Sequence, residues 1–223
     1  MNKKSLILLI FLLSGLIMCF LPLSVAVDHI TLNPIRDSDI QNNLPDLNCG
    51  MDTIIEVRYL SGPLINHVCM EFDLSCVAGK EISRATLKIK VSYHGGSPIL
   101  ILYPIASYWE ETLITWNNKP SKFATPMVTT TAEFTTETWN DINVTSIVNT
   151  WLAESRVNYG FYIETDTLNS YICLYTRNAA AEDRPILYIE FPSEIPALGF
   201  LGVLGCLVGL IILYQIFQKS KEL

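Results

Sequence analysis

The sequence predicts an all-β domain of two packed antiparallel sheets with one short helix, set between two apolar terminal segments. Ala85, Leu87, Ile89 and Val91 alternate with Thr86, Lys88 and Lys90, the period of two expected of a half-buried antiparallel strand. Short apolar runs recur between turn residues through the middle of the chain, the spacing of a sandwich. The long uncharged runs lie at the two ends, which leaves a middle sized for one domain with its own core.

The elements follow in order. Lys3 and Lys4 precede an apolar run over 6–21, Pro22 breaks it, and Ser24-Val25-Ala26 supplies small residues. This pattern predicts a signal peptide over 1–26, cut after Ala26. An uncleaved anchor is the alternative, disfavoured because the run is short for a spanning helix. The domain then occupies 27–193, with strands expected over 53–60, 66–74, 85–91, 99–103, 160–164, 171–176 and 186–191, and a turn at Gly95-Gly96. Ile147, Val148, Trp151 and Leu152 share one face at helical spacing, and Thr145 stands at the N-cap position, so a short helix is expected over 145–154.

The apolar stretch 195–217 carries no charge, long enough at about 1.5 Å per residue to cross a bilayer. A transmembrane helix is therefore expected over 194–218. Lys219 and Lys221 follow it, while Glu190 and Glu194 precede it. That bias predicts a single-pass cell-membrane protein with a cytoplasmic tail over 219–223 and the domain outside. Gly205-x-x-x-Gly209 could pack two such helices together; oligomeric state and processing of the tail stay open.

The chain has 22 acidic and 15 basic residues. Four of the lysines lie in the terminal segments, so the domain is more acidic than the whole. Such a surface repels phosphate backbones, and nucleic acid is excluded as a partner. Of the six cysteines, Cys19 and Cys206 fall in the apolar ends. Cys49, Cys69, Cys76 and Cys173 remain for an oxidising compartment, where two disulfides in any of three connectivities are expected. Free buried thiols are the alternative, and no zinc-site spacing is present.

Catalysis finds no support. The three histidines, His29, His67 and His94, are scattered, and no nucleophile elbow, P-loop or metalloprotease motif occurs. Glu110 and Glu111 are adjacent and read as solvated surface charge. Asp37, Asp39, Asn48 and Asp52 offer the oxygen ligands calcium takes, although a turn-forming role serves each equally well. Asn143-Val144-Thr145 is a glycosylation sequon, with Asn143 as acceptor, and its threonine is also the expected helix cap. Four tryptophans and ten tyrosines supply flat faces. Most belong to a core, as Trp116 and Trp151 are expected to, while exposed ones can stack on sugar rings.

An ordered string of segments runs through nearly the whole domain. Asp37 is followed by Asn48-Cys49-Gly50, Phe72-Asp73-Leu74-Ser75 and Gly79-Lys80-Glu81-Ile82-Ser83-Arg84-Ala85-Thr86-Leu87. Trp109-x-Glu111 and Ile114-Thr115-Trp116-Asn117-Asn118-Lys119-Pro120 come next, then Trp139, Asn143-Val144-Thr145 with Trp151, Tyr159-Gly160-Phe161 and Arg184-Pro185-Ile186-Leu187. The string resembles the DNRLRE-type domain family, which is similar to carbohydrate-binding modules of microbial surface and secreted proteins. The resemblance implies a jelly-roll sandwich without catalysis of its own. Cys49, Cys76 and Asn178 depart from the family pattern, which leaves the fold but not any inherited ligand contact.

The function expected is a non-catalytic, membrane-anchored module that grips polysaccharide or surface glycan. Tyr93, His94, Trp109 and Arg177 are the expected contacts, with calcium as the one cofactor to consider. The alternative is a structural envelope or spacer protein with no small ligand. An exposed aromatic strip favours the first, and wholly buried tryptophans the second.

Overall fold

A computed structural model describes residues 28–62, 64–125, 127–130 and 133–192, together with Gly209. The expected signal peptide lies outside the described residues, as does the expected transmembrane helix apart from Gly209. Among the described residues no helix is long and apolar enough to cross a membrane. One compact unit spans Asp28–Pro192.

Among the described residues of Asp28–Pro192 the fold is all-β, antiparallel and sandwich-like, with one α-helix. Its strands are β1 (His29–Leu32), β2 (Pro34–Gln41), β3 (Ile54–Leu60), β4 (Leu64–Phe72), β5 (Arg84–Gly95) and β6 (Leu100–Pro104). After them come β7 (Val128–Thr129), β8 (Trp139–Asn143), helix α1 (Thr145–Leu152), β9 (Phe161–Thr165), β10 (Ser170–Tyr175) and β11 (Ile186–Glu190). The strand order runs β1-β11-β5-β10-β3-β4-β9-β6-β7, with β2 beside β4 and β8 beside β5.

Strand β5 joins the two halves. Its first part pairs with β11 through Arg84–Lys88 and with β8 through Thr86–Lys90. Its last part pairs with β10 from Val91 to Gly95. Ala85, Leu87, Ile89 and Val91 are fully buried, as the alternation requires. They meet Val68, Met70 and Phe72 of β4 and the Ile147–Trp151 face of α1 in the main core, each large side chain contributing about 1.5–3 kcal/mol of burial.

A smaller core lies where the long segment after β6 covers the sheet. Ile105, Trp109 and Ile114 from that segment pack on Ile40, Cys69 and Tyr162. Strand β2, which supplies Ile40, was unexpected, because four polar residues in a row, Arg36 to Asp39, conceal it.

The helix begins at Thr145 and not before it. Val144 occupies the N-cap position, and the Asn143 side chain accepts from the Thr145 N–H at 3.1 Å. Thr145 Oγ1 instead accepts from the Ala85 N–H at 2.9 Å, which ties α1 to β5. The expected disulfides are corrected: Cys49, Cys69, Cys76 and Cys173 are all free. Strand register explains two of them, since Cys69 stands opposite Ser38 and Tyr162, and Cys173 opposite Glu56 and Tyr93.

Candidate functional site

A bulge in the β5–β10 ladder builds the most distinctive surface. The register shifts between Cys173 and Leu174, which face Tyr93 and Val91 respectively. Strict alternation from Val91 would turn Tyr93 inward. The extra residue, Ser92, reverses the parity, and a bulge commonly re-aims a side chain in this way. Tyr93 therefore stands outward and is 59% exposed.

Beside it lies Tyr171, its ring centroid 5.8 Å from that of Tyr93. A Cβ on Gly95 would come within 2.4 Å of the Tyr171 ring, so glycine there lets the ring lie across the strand. A hydrogen bond to Tyr93 holds the Tyr171 phenol above its usual pKa.

The same outer face continues onto β8. Trp139 pairs with Lys90 and is 40% exposed. The Lys90 ammonium lies 5.6 Å from the Tyr175 ring centroid and 2.5 Å from Asp183 Oδ1, and that hydrogen bond raises its pKa. The Tyr175 hydroxyl donates to Glu137 at 3.2 Å. One register step away, Lys88 pairs with Asp141 at 2.7 Å. The face thus combines aromatic rings with hydrogen-bonding groups whose charges largely cancel.

Of the expected contacts, Tyr93 belongs to this face and the others do not. His94 points to the opposite side of β5, where with Glu133 and Phe134 it lines a hollow of about 540 Å³. Trp109 is 4% exposed, and its indole N–H donates to the Tyr159 carbonyl at 2.8 Å. A ring in the smaller core is not open to stack on a ligand.

Arg177 is also engaged. Its Nε and Nη2 donate to the two Glu111 carboxylate oxygens at 2.7 and 2.8 Å. Its backbone N–H donates to Asp37 Oδ2 at 2.7 Å, and the Asp37 N–H donates to Glu111 Oε1 at 2.9 Å. Asn48 donates to the carbonyls of Glu111 and Ile114, both at 2.7 Å. Glu111, expected at the surface, is the buried centre of a clamp that joins β2 to three loops. A Cβ on Gly50 would stand 2.2 Å from the Glu111 carbonyl oxygen, so this close approach requires glycine.

Asp37 is almost fully buried, and its Oδ1 has no hydrogen-bond partner among the described residues. Burial, reinforced by Glu111 and opposed by the Arg177 backbone and charge, raises its pKa to about 7.

The expected calcium ligands are divided by this clamp. Asp37 and Asn48 serve it, while Asp39 and Asp52 gather with the Cys49 thiol, their ligand atoms within 4.8 Å of one another. Burial raises both the Asp39 carboxyl and the Cys49 thiol above their ordinary values. A protonated thiol suits calcium poorly, so only two of the four expected oxygen donors stay together. Asn143 is exposed on β8.

Trp139, Tyr171, Tyr175 and Lys90 were not among the contacts expected from the sequence. Trp139, Asp141 and Asn143 alternate with Asn140, Ile142 and Val144, a short period-two signal that marks Trp139 as outward once β8 is known. No match to the chain is found among curated proteins. The family model for carbohydrate-binding module family 96 matches residues 28–191, which spans the sandwich, the aromatic face and the clamp. The chain belongs to carbohydrate-binding module family 96.

Proposed function

We propose that this protein is a non-catalytic glycan-binding module that uses the outer face of β8, β5 and β10. The observation that carries the reading is the outward turn of Tyr93 at the bulge, beside Tyr171 and on the same face as Trp139. Aromatic planes cover the apolar faces of sugar rings, and Lys90, Glu137 and Asp183 supply donors and acceptors for hydroxyls. The balanced charge of the face favours a neutral polysaccharide over a polyanion. A spacer role is favoured by the burial of Trp109 and Trp151, but it gives no account of an exposed tryptophan and tyrosine on one sheet face.

The order of motifs along the chain supports the finer DNRLRE-type and jelly-roll assignment. The apolar terminal segments and the lysines after 218 support display outside a cell membrane on a single C-terminal helix. Calcium dependence, if the protein has it, falls to Asp39 and Asp52.

Retardation of the full chain in gels containing neutral and anionic polysaccharides, with and without a calcium chelator, tests the reading. Expected is retardation by a neutral polysaccharide that Trp139→Ala abolishes with the fold preserved. Retardation by none of them, or equal retardation of wild type and Trp139→Ala, refutes the face as the site. Loss of retardation on chelation assigns a role to calcium, and its persistence removes calcium from the account.

A further inference from the structure

The aromatic face does not end at Lys90. On one edge of β5, strand β8 opposes Thr86–Lys90 and Thr136 opposes Val91. Strands β10 and β11 therefore follow one another along the other edge, β10 against Val91–Gly95 and β11 against Arg84–Lys88. The seam they share with β5 runs the length of that strand. Tyr171 stands opposite Gly95 near one end of it, and Tyr188 stands opposite Thr86 towards the other.

The parity of β11 fixes where Tyr188 points. Leu187 and Ile189 are fully buried in the main core, so Tyr188 turns outward with Lys88 and Lys90 of β5. It is half-buried, and His29 of β1 beside it is exposed. The two ring centroids lie 4.8 Å apart, and the Lys88 ammonium is 5.7 Å from the centre of the Tyr188 ring. These neighbours restrict the ring before any ligand arrives, which lowers the ordering cost of binding.

Nine residues of β5 separate Thr86 from Gly95, a strip of about 30 Å at about 3.3 Å per residue. Tyr171, Tyr93, Tyr175 and Tyr188 follow along it, with Trp139 one strand aside. Lys90 is paired with Asp183 and Lys88 with Asp141, so the added length brings a ring and a paired charge rather than a field of one sign. One sugar unit cannot reach from Tyr93 to Tyr188. Rings spread along a straight seam are engaged together only by a chain that runs straight. Neutral β-1,4-linked chains are extended ribbons, whereas α-1,4-linked glucans curl away from such a line.

We propose, on the footing that the outer face is the glycan site, that the seam of β5 with β10 and β11 binds an extended, neutral, β-1,4-linked polysaccharide along the interior of its chain. Tyr188, with His29 against it, is the binding residue at the far end of the strip. The chain lies along β5 and not across it.

The test titrates the full chain, in a detergent without a sugar headgroup, with tetra- and hexasaccharides of the cello, manno and xylo series and with malto-oligosaccharides of the same lengths. In one β-1,4-linked series the hexasaccharide is expected to bind about tenfold more tightly than the tetrasaccharide, the effect of one further aromatic contact. No such gain is expected in the malto series. Tyr188→Ala should bring the hexasaccharide down to the affinity of the tetrasaccharide, a loss confined to the longer chain. His29→Ala changes an exposed side chain and should weaken the hexasaccharide alone, which keeps the assignment testable where Tyr188→Ala folds poorly. Tyr93→Ala should weaken both lengths.

Equal affinity of the wild type for both lengths, a hexasaccharide affinity unmoved by Tyr188→Ala and His29→Ala, or a preference for the malto series would overturn the proposal and leave the outer face as the site. Binding of no oligosaccharide, or binding insensitive to Tyr93→Ala, would overturn the face as the site and the proposal with it.

Discussion

The outer face of β8, β5 and β10 and the clamp around Glu111 are built from the same residue types and use them oppositely. On the face, Trp139 and Tyr93 keep their rings in solvent, and Lys90 is tied to an acid at the margin. In the clamp, Trp109 is buried and Arg177 is held at both ends of its carboxylate partner. An aromatic ring next to an arginine looks like a ligand site in a sequence. Whether it is one depends on what covers the ring, and here the segment after β6 covers Trp109.

Four changes would break or sharpen that contrast. The largest effect belongs to Trp109→Ala, which empties part of the smaller core. It should cost about 3–5 kcal/mol in denaturant titrations and lower glycan binding only in proportion to the unfolded fraction. Binding lost from a fully folded Trp109→Ala protein would move the site to the clamp side.

Glu111→Gln comes next. It removes the charge that Arg177 grips and leaves the guanidinium without its counterion. Arg177 keeps about a third of its side-chain surface exposed, so solvent screening limits the cost to about 2 kcal/mol. The same denaturant titrations would measure it, and a neutral result would remove the clamp as a stabilising element.

The pH dependence is a more specific effect. Folded Asp37 has its pKa raised from 3.8 to about 7. A raised folded value means the contribution to stability is full below 3.8 and is lost as pH rises toward 7. Glu111 opposes ionisation of Asp37 and Arg177 favours it. Denaturation midpoints of wild type should carry a downward component between pH 4 and 7, and Asp37→Asn should remove it. An identical pH profile in the variant would contradict the assignment.

The smallest effect on stability is expected from Trp139→Ala, within about 0.5 kcal/mol because the ring is solvent-facing. That variant separates binding from folding most cleanly. A cost of several kcal/mol would show that Trp139 is a packing residue like Trp109.

The regular parts of the fold were legible because their periodicity is local. The inward set of β5, the apolar runs of β6, β9, β10 and β11, and the face of α1 all follow from spacing. Strand β2 was concealed because its Asp and Arg side chains bond to distant loops, and such partners leave no trace in local pattern. Glu111 was misjudged for the same reason, since its partners lie 66 and 74 residues away. The outward turn of Tyr93 hinges on one extra residue in a ladder, which alternation alone assigns to the wrong side. The cysteine pairs failed because their even number says nothing of where the strands put them.

The most direct measurement is hydroxyl-radical footprinting of the full chain with and without a polysaccharide that retards it. The account predicts protection of Trp139, Tyr93 and Tyr171 on binding, with Trp109 equally unreactive in both states. Protection of Tyr108, which is exposed on the clamp side, with Trp139 and Tyr93 unchanged, would contradict it.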